Sequence, residues 1–217
     1  MLPLKRLALI GLVTYSILLM ITICFFKERV VFVDISFQLF LMIKGGYAAL
    51  HSLRFGSLFT LFFPLLAIKL QLPLSWIAMS WNIAVPLFFA IIFFLILLLF
   101  NDVKMAMLVL LFNTLMVTHS FYWLQSELPQ AVAFLILFFS FCHWLLQKKE
   151  LPFYASAIIA IMLFTLSFYH PLIIFAFSFI SLFLILSPPP PHQTVTTIKT
   201  KENFTQSICL YFLFSIL

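Results

Sequence analysis

Apolar residues run along this chain in long unbroken blocks, separated by short polar segments. A helix rises about 1.5 Å per residue, so about 20 apolar residues cross the hydrocarbon core of a bilayer. Blocks of that kind cover 7–26, 75–100, 105–121, 128–146, 153–169 and 171–187, and each predicts a membrane-crossing helix. A last apolar run, 204–217, stops at the chain end in "CLYFLFSIL", mid-helix, so the expectation is a fragment or a truncated reading frame. The run 55–72 is ambiguous: Pro64 stands in its middle, Lys69 near its end, and its length is marginal. The tract "PPPP" (188–191) predicts a stiff polyproline stretch that ends the preceding helix and opens a polar, Pro-rich linker over 188–203.

The segment 27–74 has a different pattern. "VVFVDISFQLFLMIKGGYAALHSLRFGS" is too apolar for a solvated linker and too interrupted for a span, so it predicts one or two helices lying in the membrane interface. Lys44, Tyr47, His51 and Arg54 recur at roughly helical spacing and form a candidate polar stripe. Gly45 and Gly46 predict a break near the start of that stripe. The run 55–72 is expected to dip into the outer leaflet and return.

Composition then narrows the class. The chain has 217 residues, 65% hydrophobic and 8% charged, with 30 phenylalanines and a mean hydropathy of +1.22. A soluble domain is about 45–50% apolar and about 25% charged. The fold class read from this is all-α: a polytopic transmembrane helix bundle, one transmembrane domain over 1–217, with interfacial helices in the first external loop. The net charge of +6 comes from cations at the ends of apolar runs, the pattern of membrane loops rather than of nucleic-acid binding, and no nucleic-acid partner is expected. Cys24, Cys142 and Cys209 lie inside apolar runs without metal-ligand spacing and read as small buried hydrophobes. Lys5 and Arg6 precede a first run too long for a cleaved signal, which reads as a retained signal anchor.

Charge also sets the expected sidedness. Lys5 and Arg6 place the N-terminus in the cytoplasm. If 55–72 does not cross, then Lys104, Lys148, Lys149, Lys199 and Lys201 all fall inside; if it does cross, all five fall outside. The first arrangement is expected. It puts Asp34, His119, Glu127 and His170 on the external face of a multi-pass plasma or inner-membrane protein, and Asp102, Glu150 and Glu202 on the cytoplasmic face.

The candidate chemistry lies on that external face. Asp34 reads either as a helix N-cap or partner of Lys27 or Arg29, or as a general base, and also a metal ligand, in an external cleft. Glu127 reads either as a carboxylate favoured at a helix N-terminus or as a second acid facing the cleft. Tyr122 and Trp123 suit an interface belt and also sugar stacking. His51, Arg54, His119 and His170 together suit an anionic phosphate. His143 reads as a packed or snorkelling histidine. The chain carries no Gly-rich phosphate loop, HExxH, CxxC or GxSxG.

With a short N-terminus, a first span, Asp34 early in a long loop, "GSLFTLFFPLLAIKLQLPLSWIAM" (56–79) before the second span, and Glu127 opening a later one, the chain resembles the GT-C membrane glycosyltransferases, the group that contains protein mannosyltransferases and the aminoarabinose transferase of lipid A. The resemblance covers about residues 1–187 and rests on topology with Asp34, Arg54, Pro64 and Glu127. Many members carry paired acids in the first loop, whereas Val33 and Ile35 flank Asp34 here. The resemblance implies a sugar donor on a polyprenyl phosphate, Asp34 as base, Glu127 placing the acceptor or a metal, and inversion at the sugar carbon. It implies Arg54, His170 or a divalent metal at the departing phosphate. The alternatives are a subunit that holds or translocates a lipid-linked glycan without chemistry, and an inactive fragment.

Overall fold

The computed structural model describes residues 2–48, 50, 55–115, 127–148, 153–169 and 171–186. Among them the chain is all-α. The helices are α1 (Leu2–Cys24), α2 (Phe26–Val30), α3 (Val33–Gly45), α4 (Leu58–Lys69), α5 (Leu74–Leu99), α6 (Val103–Leu115), α7 (Glu127–Leu146), α8 (Ala155–Ser167) and α9 (Ile173–Leu186). A single 3₁₀ turn, Phe55–Ser57, precedes α4. The predicted linker 188–203 and the run 204–217 lie outside the described residues.

Among the described residues, three helices are long and apolar enough to cross a membrane: Leu4–Cys24, Leu74–Leu99 and Glu127–Leu145. They coincide with the blocks 7–26, 75–100 and 128–146. Their outer faces stay apolar. Leu9 and Met20 on α1 are 62% and 67% exposed, and Phe175 on α9 is 73% exposed. Apolar surface of this kind is covered by hydrocarbon at no cost and by water only at a large one. The protein is therefore read as a membrane protein. The helices α6, α8 and α9 are shorter, 13, 13 and 14 residues, or about 20 Å each; the predicted extension of α6 to 121 lies outside the described residues.

The bundle is organised on α5. α1 packs antiparallel to it, since the Tyr15 ring meets Phe93 at 5.6 Å between centroids while the Phe26 carbonyl just past α1 accepts from Asn82. Gly11 is what lets the helices approach there: a side chain at that position would collide with the Phe93 ring. The end of α5 meets α7 through Phe100, whose ring is 5.6 Å from Phe141 and 5.8 Å from Trp144. Phe138 of α7 in turn meets Phe177 of α9 at 6.0 Å.

The proline-bearing run forms a short helix. α4 has 12 residues, about 18 Å of helix. It runs back along the first half of α5, joined to it by the turn 70–73, with Phe59 packed on Phe88 at 5.4 Å. Gln71 takes the left-handed conformation (φ 53°) in that turn, and Leu72 donates back to the Ala67 carbonyl at 3.0 Å. The turn between α5 and α6 is built alike, with Asn101 at φ 55° and the Asp102 N–H donating to Ile96 at 3.3 Å. At its first turn α4 abuts α7: the Thr60 hydroxyl lies 3.0 Å from the Ser57 carbonyl and 3.2 Å from the Gln130 amide oxygen, and shares its proton between them. α3 stops where the glycine pair predicts, with Gly46 left-handed (φ 67°) and its N–H on the Met42 carbonyl at 2.8 Å.

Candidate functional site at the start of α5

α2 carries Lys27, Glu28 and Arg29, three charges just after an apolar span. Arg29 is wholly buried. Its guanidinium donates to the Thr22 hydroxyl at 2.9 Å and to the Asn82 carbonyl at 3.5 Å. The Asn82 amide donates to the Ala78 carbonyl at 2.8 Å and the Phe26 carbonyl at 3.4 Å. The Asn82 Oδ1 and the neighbouring Trp81 Nε1 are buried without a protein partner among the described residues. A buried cation is expensive unless hydrogen-bonded on several sides. Here it ties α1, α2 and α5 into one junction. Thr22 and Asn82, polar positions inside apolar blocks, were the sequence signal for it.

α3 lies over this junction. An open pocket of about 470 Å³ separates the helices, with Phe26, Lys27 and Val30 on the α2 side and Leu39, Phe40 and Ile43 on the α3 side. Leu74, Ser75 and Ala78 close it on α5. Lys27 brings the charge that this lining carries.

Asp34 stands in the first turn of α3, but Phe32 is the N-cap residue, so the N-cap role is not the one Asp34 plays. Its carboxylate is exposed and close to the positive end of the helix. Among the described residues it has no hydrogen-bond or ion-pair partner; Arg29, one partner considered from sequence, is turned into the α1–α5 junction instead. Successive helical residues are turned by about 100°, which sets Asp34 roughly opposite the Ser36–Phe40–Ile43 stripe on the pocket. Neither Asp34 nor Glu127 is among the residues that line that pocket.

Glu127 is the first residue of α7 and is buried, 7% exposed. Its position suits a carboxylate at a helix N-terminus. Gln130, one turn on, is level with Thr60 and hence with the Phe88 turn of α5. α3 instead faces the Leu74–Ala78 turns. Both acids thus belong to the half of the bundle towards the start of α5. His51, Arg54, His119, Tyr122, Trp123 and His170 lie outside the described residues. Among the described residues there is no group of three or more His, Cys, Asp or Glu able to hold a metal ion.

The other end of the bundle holds a cluster that sequence reasoning did not assemble. Asp102 Oδ1 accepts from the Met105 N–H at 3.1 Å, capping α6. Its Oδ2 lies 3.4 Å from both the Ser140 hydroxyl, which donates to it, and His143 Nδ1. Gln147 lies 3.4 Å from the far nitrogen of the same ring. His143 is therefore exposed and engaged by Asp102, more than the packed or snorkelling residue expected.

Comparison with known proteins adds no relative: no family model, no curated protein and no solved structure matches this chain.

Proposed function

We propose that the chain is a GT-C-like multi-pass membrane protein, N-terminus in the cytoplasm, that transfers a sugar from a polyprenyl-phosphate donor to an acceptor at the external face. The observation that supports this reading is Asp34: an exposed carboxylate without a partner among the described residues, on a helix that faces the start of a span across a pocket. A carboxylate kept at a membrane boundary without a structural partner is a functional candidate. In the proposed reaction Asp34 takes the proton of the acceptor hydroxyl, the acceptor oxygen bonds to the sugar carbon, and the bond from that carbon to the lipid phosphate breaks. The phosphate leaves with the electron pair, stabilised by cations such as Arg54 or His170, or by a divalent metal. Glu127 helps to place the acceptor.

A second reading has an observation of its own. Neither Asp34 nor Glu127 lines the α2–α3–α5 pocket, which favours a protein that holds a lipid-linked glycan without transferring it. Transfer of labelled sugar from a polyprenyl-phosphate donor separates the two. The first reading predicts turnover that Asp34→Asn abolishes. Turnover unchanged by Asp34→Asn removes this residue from the chemistry, and donor binding without turnover supports the second reading.

A further inference from the structure

The pocket between α2, α3 and α5 lies on the side of α3 away from Asp34, and its chemistry is independent of the transfer reaction. Its walls are apolar and partly open: Phe40, Ile43 and Leu74 are 57%, 41% and 61% exposed. Left to water, that surface would cost free energy in proportion to its area. Its volume is about 470 Å³, room for roughly fifteen groups of about 30 Å³, the volume share of a water molecule in the liquid. That is the bulk of one lipid chain rather than two.

Polar groups on the lining are few. Lys27 reaches 6.0 Å from the Phe26 ring centre and forms no ion pair among the described residues. The Ser36 hydroxyl donates back to the Val33 carbonyl at 3.0 Å, so its own proton is committed. Ser75 supplies the remaining hydroxyl on the lining. One ammonium and one donor hydroxyl beside an open apolar slot match a negatively charged head group with an acyl tail.

We propose that the α2–α3–α5 pocket binds one chain of an anionic membrane phospholipid, with its head group on Lys27 and Ser75. The bound lipid fills the space between α3 and α5 and so fixes α3, the helix that carries Asp34.

The test uses the full chain in phosphatidylcholine nanodiscs doped with phosphatidylglycerol that carries a photoreactive acyl chain, with labelled peptides mapped by mass spectrometry. Label is expected on Leu39–Ile43 and Leu74–Ala78. Photoreactive phosphatidylcholine should label these segments less, and Lys27→Gln, a change at an exposed side chain, should lower phosphatidylglycerol labelling by roughly fivefold, the effect of one lysine at an anionic surface. Ala78→Phe, which fills the buried floor, should abolish the label. Equal labelling by the two lipids, or labelling indifferent to Lys27→Gln, would overturn the proposal. So would displacement of the label by a prenyl phosphate, which would make the pocket a donor site, or cross-links between two copies of the chain.

Discussion

His143 Nδ1 and Asp102 Oδ2 meet at 3.4 Å across 41 positions of sequence. The contact joins the α5–α6 turn to the last turns of α7. Because Asp102 also caps α6 through the Met105 N–H, Asp102→Ala should cost about 0.5–2 kcal/mol, the usual loss for a cap. Asp102→Asn, which keeps a capping oxygen, should cost less. His143→Ala should cost at most about 1 kcal/mol, because its ring is exposed to solvent. Thermal unfolding in one detergent would rank the three variants, and a larger loss for His143→Ala than for Asp102→Ala would contradict the capping role.

The buried guanidinium of Arg29 makes a second prediction. Thr22→Val removes its 2.9 Å acceptor and should cost about 1.5–3 kcal/mol, the range for a hydrogen bond to a charged group. In an Arg29→Met background the same change should cost far less, since the donor is gone. A double-mutant cycle measures this coupling. Additive losses would mean that the two residues act separately.

A third concerns the packing of α1 on α5 at Gly11. Gly11→Ala would place a methyl group against the Phe93 ring and should destabilise the protein by about 1–3 kcal/mol, the cost of overpacking. Phe93→Leu should recover part of that loss in combination, although it is unfavourable alone. The readout is again thermal unfolding, and failure of the pair to recover would show that the helices separate rather than clash.

The blocks of apolar residues made α1, α5 and α7 legible from sequence, because a membrane span is a local property of about 20 consecutive positions. The break after α3 was legible for the same reason: Gly46 needs no partner to adopt its left-handed turn. The short length of α4 was foreshadowed by Pro64 and Lys69. The Arg29–Thr22–Asn82 junction and the Asp102–His143 pair were hidden because helix packing, not spacing, brings them together, across as many as 56 positions. Asp34 was found as a candidate from its setting, but its face of α3 depends on how that helix is rotated on α5.

The proposed function requires the start of α5, with Asp34, to face the outside and the Asp102 end to face the cytoplasm. Side-specific thiol labelling tests it most directly, with the native cysteines removed and single cysteines introduced as Ser36→Cys, Gln125→Cys and Lys104→Cys. With that orientation, an impermeant reagent applied outside reacts at 36 and 125, and at 104 only after the membrane is opened. Labelling of 104 from outside, or of 36 and 125 from opposite sides, would contradict it.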